Sequence, residues 1–152
     1  MAIKEMSETE CRAFLTRAQI GRLACALNDQ PYVVPISVVC EEDYIYSFTT
    51  IGRKIEWMRK NPKVCVQLDE LPAQSRWISV IASGVYQELS VPQFETERAH
   101  ARKLLDRKSR WWLNAFAERD LKSSEALIDP LFFRIRIQSL TGLEATDIDP
   151  NV

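Results

Sequence analysis

Near residue 50 a strand-like run gives way to a helix that opens with two hydroxyls and two cations. Thr49 and Thr50 end the run, and Arg53 and Lys54 follow Gly52 at the predicted helix start. A helix start exposes unpaired backbone N–H groups and the positive end of the helix dipole, so these four side chains form a candidate phosphate site. The alternative is that Thr50 only caps the helix while both cations lie in water.

Composition limits the classes of protein to which the chain can belong. With 152 residues, 46% of them hydrophobic and 27% charged, it is predicted to be one soluble globular domain over 1–152. The net charge of −1 gives no general electrostatic attraction to nucleic acid or anionic lipid. The longest apolar runs are far shorter than a membrane span and the N-terminus lacks an apolar core, so we expect a cytoplasmic protein without membrane contact.

The cysteines and the single histidine do not favour metal or triad chemistry. The four cysteines are widely spaced within apolar patterns, without a C-x-x-C pair, and are predicted to be buried free thiols. A zinc site would need several cysteines from separate segments. His100 is predicted to lie on a helix among charged residues, where it is solvated rather than catalytic, and a Ser-His-Asp triad has no other histidine to use.

Hydrophobic periodicity predicts three helices and six strands. Residues 7–10 have the form of a capping box, and apolar residues at helical spacing follow them to an end near Gln19. The second helix begins at Gly52 and stops before Pro62, because proline cannot continue the helical ladder. The third runs from Pro92 to about Lys108. Alternating apolar residues predict strands at 22–27, 32–40, 44–49, 64–69, 77–89 and 133–137.

This order of elements favours a mainly β fold, in which a closed or nearly closed six-stranded antiparallel barrel carries peripheral helices. Parallel nucleotide-binding architectures fit poorly, because the four glycines stand alone without G-x-G-x-x-G or G-x-x-x-x-G-K. Residues 146–152 are acidic and are expected to form a frayed tail.

Pro35 interrupts an otherwise continuous strand pattern. Proline cannot donate to a sheet ladder, so it belongs at an edge or a bulge, where we expect unpaired backbone groups near Ile36 and Ser37. Such an edge can bind the polar rim of a flat heterocycle, with Val34 and Val38 supplying apolar contact. An edge proline that only deters aggregation is about equally consistent with this segment.

Several segments in order resemble the pyridoxamine 5′-phosphate oxidase-like flavin-binding proteins, the split-barrel FMN family. The resemblance covers most of the chain and is carried by the segments Gly21-Arg22-Leu23-Ala24, 31–37, 46–55, 61–66, 77–84 and Phe133-Arg134-Ile135-Arg136-Ile137.

The resemblance implies a homodimer that holds two FMN molecules in clefts at the subunit interface. It implies ring contacts, largely through backbone, for Pro35, Ile36, Ser37 and Val38. It implies that Thr49, Thr50, Arg53 and Lys54 bind the FMN phosphate, and these are the same four residues that the helix start indicates on physical grounds. Weaker implied contacts come from Gln67 on the fourth strand and from Trp77 and Ser79 on the fifth, with core packing as the alternative for Trp77.

The implied function is a flavin-dependent oxidoreductase that acts on a small molecule and takes NADH or NADPH as a possible electron donor. No catalytic residue is assigned, because the flavin itself performs the redox step. The alternatives are a non-catalytic flavin carrier or sensor in the same pocket and, less favoured, a haem-binding split barrel that would depend on His100. Trp111 and Trp112 either anchor packing or cover the flavin or the dimer interface, and the interface is slightly favoured.

Overall fold

The computed structural model describes residues 2–108 and 130–147 of the chain. The predicted positions of Trp111 and Trp112 and most of the predicted tail lie outside these residues. Within them the chain forms β1 (Ala2–Glu5), α1 (Glu8–Leu15), β2 (Ile20–Leu27), β3 (Gln30–Ser37), β4 (Val39–Glu41), β5 (Tyr44–Thr49), α2 (Arg53–Lys60), β6 (Lys63–Ala73), β7 (Arg76–Glu88), α3 (Glu95–Lys108) and β8 (Leu131–Thr146).

The predicted capping box starts α1. The Ser7 hydroxyl accepts a hydrogen bond from the Glu10 backbone N–H, and the Glu10 carboxylate accepts one from the Ser7 N–H, both at 3.1 Å. The helix then ends at Leu15, four residues before the predicted end at Gln19. Thr16 explains the difference, because its hydroxyl donates to the Ala13 carbonyl at 2.7 Å and closes a turn instead of continuing the helix.

The strands form one antiparallel sheet in the order β3-β2-β6-β7-β8-β5-β4, and β1 pairs with β8. β3 and β4 stand at the two ends of this path, so the sheet is open rather than closed. All six predicted strands are present and β5 has the predicted bounds. The described residues hold eight strands instead of six, because β1 was missed and the predicted strand 32–40 is divided into β3 and β4.

Both differences in strand number have physical reasons. All four residues of β1 are exposed, so no apolar alternation marks it. Val38 separates β3 from β4, and its N–H donates to the Gln19 carbonyl at 3.0 Å.

β8 continues to Thr146, past the end that the sequence predicts before Thr141 and Gly142. Gly142 is not a turn residue here. A Cβ atom at this position would lie 2.7 Å from the Cys11 sulfur and 2.9 Å from the Met6 sulfur, so the glycine lets α1 and the preceding loop approach the strand.

The core has two parts. The larger cluster lies between the sheet, α1 and α2, and Ile55 and Met58 from α2 are fully buried in it. The smaller cluster packs α3 against β4, β5 and β8 through Ala101 and Leu105. Cys11 and Cys25 are buried as expected, whereas Cys40 and Cys65 are only partly buried. Of the described helices, none is long and apolar enough to cross a membrane.

Candidate functional site

The first turn of α2 lacks a side-chain cap. Gly52 is the N-cap residue in an extended conformation, and its carbonyl accepts from the N–H groups of Ile55 and Glu56 at 3.1 and 3.2 Å. Among the described residues no acceptor serves the backbone N–H groups of Arg53 and Lys54. Thr50 does not cap the helix, so the alternative interpretation of that residue is wrong. The helix therefore begins with unsatisfied donors and the positive end of its dipole.

Two cations adjoin these donors, and within residues 2–108 and 130–147 neither has a carboxylate partner. Lys54 is half-buried, and no carboxylate of the described residues lies within 4.0 Å of its ammonium group. Burial lowers the pKa of Lys54, and its electrostatic interaction with the nearby Cys25 thiol opposes this only partly. Arg53 is exposed, and its guanidinium carbon lies 5.7 Å from the centre of the Tyr32 ring. A half-buried ammonium group without a counter-ion is costly, and an anion would relieve that cost.

The two threonines lie where β5 leads into this turn. Thr49 is buried opposite Leu131 of β8, and its hydroxyl donates to the Thr50 carbonyl at 3.1 Å. Thr50 is half-buried. A Cβ atom placed on Gly52 would meet nothing within 4 Å, so the space above the turn is open. Of the four predicted phosphate contacts, Thr50, Arg53 and Lys54 therefore lie at one accessible helix start, whereas Thr49 is buried.

Pro35 lies on β3, and β3 is an edge strand as predicted. The Val38 N–H donates to the Gln19 carbonyl, and these two residues lie one position beyond the Ser37–Ile20 pair of the ladder. The backbone groups of Val38 therefore point towards the β2 side. In an antiparallel pair the alternate residues point their N–H and C=O groups away from the partner strand. The outward residues of β3 are therefore Pro31, Val33, Pro35 and Ser37.

This alternation corrects the prediction of free backbone groups at both Ile36 and Ser37. Ile36 faces β2 with its backbone and the core with its side chain, so it offers no free edge group. Ser37 points outward, but its carbonyl already accepts the Ser47 hydroxyl at 2.6 Å. Val38 is 1% exposed, so its side chain packs in the core and does not supply the predicted apolar surface.

The three weaker predicted contacts lie together on the outer face of the sheet. Gln67, Trp77 and Ser79 line one cavity of about 450 Å³. The Gln67 amide donates to the Ser79 hydroxyl at 3.1 Å and to Asp69 at 3.3 Å. Trp77 is half-buried and borders the cavity.

Sequence reasoning missed Arg22 and Asp69 in this cavity. The guanidinium of Arg22 binds the Asp69 carboxylate at 2.8 Å. Arg22 lies opposite Pro35 on one side and opposite Gln67 on the other, so β2 joins the β3 edge to the cavity. In the sequence, Arg22 and Asp69 appear only as polar residues within strands that alternate apolar and polar positions. The order of the strands in the sheet is what makes them neighbours.

His100 lies away from these groups. Its Nε2 is 2.7 Å from a carboxylate oxygen of Glu41, and its ring meets Tyr46 edge-on with the ring centres 5.8 Å apart. The imidazole therefore helps to hold α3 against β4. The haem alternative, which depends on this histidine, gains no support from its position.

The fold and the match to a sequence family define the class of protein. The chain is an antiparallel split barrel and belongs to the pyridoxamine 5′-phosphate oxidase family, whose sequence model matches residues 7–144.

Individual relatives agree with this assignment. An uncharacterised protein of Rhizobium meliloti strain 1021 is 36% identical over 146 residues, which cover 95% of this chain and 97% of that protein. The crystal structure of a FAD-binding protein from Mesorhizobium loti has a TM-score of 0.80 at 38% identity and covers 96% of this chain and 100% of its own. A FAD-binding protein from Mycobacterium smegmatis, at 20% identity and a TM-score of 0.67, covers 96% of this chain and 100% of its own and shows the likeness of fold alone.

Proposed function

We propose that this protein binds a flavin, FMN, and uses it as a flavin-dependent oxidoreductase on a small molecule. The observation that carries the proposal is Lys54, a half-buried cation at an uncapped helix start, for which the described part of the chain supplies no carboxylate partner. A terminal phosphate carries close to two negative charges at neutral pH and several strong acceptor oxygens. It would neutralise Lys54 and Arg53 and accept from the free N–H groups of the first turn.

The small size of this anion site favours FMN. Thr49, Thr50, Arg53 and Lys54 lie within six consecutive residues, which suits one phosphate group. The relative from Mesorhizobium loti is described as binding FAD, whose flavin half is the same as that of FMN. FMN is the smaller of the two ligands and has the one phosphate that these four residues would bind. If the protein releases FAD instead, the choice of FMN is wrong.

The flavin ring would lie along the outward edge of β3 beside the cavity of Gln67, Trp77 and Ser79. When bound, a flavin supplies hydride and single-electron transfer. The residues of this chain would hold the phosphate, present backbone groups to the ring edge and limit the access of water. No side chain of the described residues is assigned a role in proton transfer.

The proposal includes a homodimer. Apolar side chains remain exposed on the same outer face as the cavity, where Ile81 lies opposite Gln67 and Leu143 lies opposite Ser79. These two side chains are 42% and 44% exposed. Exposed apolar surface next to a ligand site favours a protein partner, and a second copy would cover the face and complete the two clefts. Light scattering of the purified protein measures this directly, and a monomer at all concentrations would contradict it.

The first test is the absorbance spectrum of freshly purified protein, followed by mass identification of any released chromophore. A yellow protein that releases FMN supports the proposal. Release of FAD would keep the flavin and correct the phosphate assignment. A colourless protein that binds neither FMN nor riboflavin in titration would overturn it.

A second measurement separates an enzyme from a carrier. Under anaerobic conditions, NADH or NADPH should bleach the bound flavin, and an added electron acceptor should restore its colour over repeated cycles. Tight flavin binding without reduction by either nucleotide would instead identify a carrier or sensor.

A further inference from the structure

Ser47 carries a buried hydroxyl that links two strands which are not ladder neighbours. Its side chain is 0% exposed, and its Oγ donates to the Ser37 carbonyl at 2.6 Å. β5 pairs with β4 and β8, whereas β3 pairs only with β2. β3 continues through Val38 into β4, and Val39 of β4 pairs with Tyr46 of β5. The hydrogen bond therefore joins β5 to the corner at which the chain leaves β3, the strand that carries Pro35.

The bond has a defined effect on the outward edge of β3. Ser37 is an outward residue, so its carbonyl would otherwise be a free acceptor at the end of an edge strand. Pro31 and Pro35 are outward as well and have no N–H to donate. With the Ser37 carbonyl occupied, the N–H groups that remain outward are those of Val33, which is exposed, and of Ser37, which is buried. The outward carbonyls that remain are those of Pro31, Val33 and Pro35.

We infer that Ser47 is a positioning residue for the ligand ring. Its hydrogen bond fixes the end of β3 against β5 and so holds the outward edge from Pro35 to Ser37 in one conformation. The inference rests on the proposed function, because the ring is expected along this edge. Ser47 itself is buried and touches no ligand, so it acts only through the backbone of Ser37.

A strand edge held in one conformation binds a rigid heterocycle without a further loss of chain entropy. Removing the hydroxyl leaves a buried carbonyl without its donor and lets the strand end move. Both effects weaken contacts to the ring and leave contacts to the phosphate unchanged. Riboflavin and FMN should therefore lose affinity by the same factor.

The experiment measures dissociation constants of riboflavin and FMN for wild type, Ser47→Ala and Ser47→Cys. The thiol is close in size to the hydroxyl but is a weaker donor. We expect Ser47→Ala to weaken both ligands about tenfold, as one lost hydrogen bond predicts, and Ser47→Cys to fall between it and wild type. The visible absorption band of bound flavin should shift in the same order.

Ile135→Val is the matched control, because Ile135 is also fully buried and lies on β8 outside the proposed site. It lowers stability without changing the β3 edge, so it should leave both affinities and the flavin spectrum at wild-type values.

The outcomes separate this inference from the proposed function. If wild type binds no flavin, both are overturned. If wild type binds but Ser47→Ala and Ser47→Cys keep the wild-type affinities and spectrum, or if Ile135→Val loses as much affinity as Ser47→Ala, only the inference is overturned. Should Ser47→Ala fail to fold, the affinity and spectrum of Ser47→Cys decide it alone.

Discussion

The C-terminal end of α2 is tied to the sheet by several side chains, whereas its N-terminal end is not. Arg59 binds the Glu88 carboxylate through two nitrogens, at 2.8 and 3.0 Å, and the Tyr86 hydroxyl donates to the same carboxylate at 2.8 Å. Asn61 donates to the Ala26 carbonyl at 2.9 Å. At the other end Lys54 has no carboxylate partner among the described residues.

The difference separates residues that hold the fold from residues that we propose to bind the ligand. Polar groups at the C-terminal end satisfy one another and fix the direction of the helix. Those at the N-terminal end keep their hydrogen-bonding capacity and their charge. Changes at the two ends should therefore affect different quantities, ligand affinity at one end and folding stability at the other.

The largest effect is expected from replacing both Arg53 and Lys54 with alanine. Each charge-assisted contact to phosphate contributes about 1.5–3 kcal/mol, and Arg53 is exposed, so FMN affinity should fall about 100-fold. Riboflavin, which lacks the phosphate, should bind as it does to wild type. Calorimetric titration with both ligands measures the ratio. The control is the double variant Lys60→Ala, Lys63→Ala, which removes two exposed charges outside the first turn. Equal losses of FMN and riboflavin affinity in the Arg53/Lys54 variant would contradict the phosphate site.

Gly52→Asp should supply the missing cap from within the chain. The residue has extended backbone angles and open space around it, so a side chain fits. The new carboxylate should accept from the free N–H groups, raise the melting temperature of the ligand-free protein by about 1–3 °C and weaken FMN about tenfold through charge repulsion.

Gly52→Ser is the matched neutral change for this prediction. It can cap the same N–H groups without adding charge, so its FMN affinity should stay closer to wild type. If Gly52→Asp binds FMN as tightly as wild type, the anion does not lie at this turn.

Glu88→Ala should lower stability without changing the ratio of FMN to riboflavin affinity. The substitution removes the acceptor of the buried Tyr86 hydroxyl, which costs about 1–2 kcal/mol, or about 3–6 °C in melting temperature. Thermal unfolding with and without each ligand tests this. A selective loss of FMN affinity would show that the two ends of α2 are not independent.

The stability effect of Glu88 should depend on pH. Its hydrogen bond with Arg59 holds the pKa of Glu88 below its usual range. A carboxylate with a lowered pKa in the folded state stabilises the protein above the unfolded pKa, and this contribution is lost as the pH falls through the folded value. The difference in melting temperature between wild type and Glu88→Ala should therefore shrink in acid.

The smallest expected effect is a gain in stability. Lys54→Met replaces a half-buried ammonium group, which finds no counter-ion in the described part of the chain, with an apolar chain of similar length. The ligand-free protein should therefore gain roughly 0.5–1 kcal/mol. The gain should be largest at neutral pH and decline as the pH rises through the lowered pKa of Lys54, where the wild-type side chain becomes neutral. Lys60→Met, at an exposed position of the same helix, should not raise the free energy of unfolding measured by chemical denaturation.

Local patterns in the sequence predicted the elements that carry the site, because those elements have strong local signals. The alternation of β5 predicted its bounds, and the glycine and proline that flank α2 predicted its extent. Proline chemistry predicted an edge or a bulge at Pro35, and β3 is an edge strand.

The remaining features depend on tertiary pairing that no local pattern contains. The hydroxyl of Ser47 meets Ser37 because β4, which follows β3 directly after Val38, pairs with β5. Arg22 and Asp69 become partners through the β2–β6 pairing. Whether a backbone group near Ile36 or Ser37 is free depends on which residues face β2, and this requires the register.

The alternation of backbone direction along β3 has a consequence for amide exchange with solvent. Amides that face β2, such as those of Tyr32, Val34 and Ile36, are donors in a ladder, whereas that of Val33 points away from it. Exchange along this strand should therefore alternate between slow and fast from one residue to the next, with gaps at the two prolines. A ligand that occupies the edge would slow the fast class and leave the slow class unchanged.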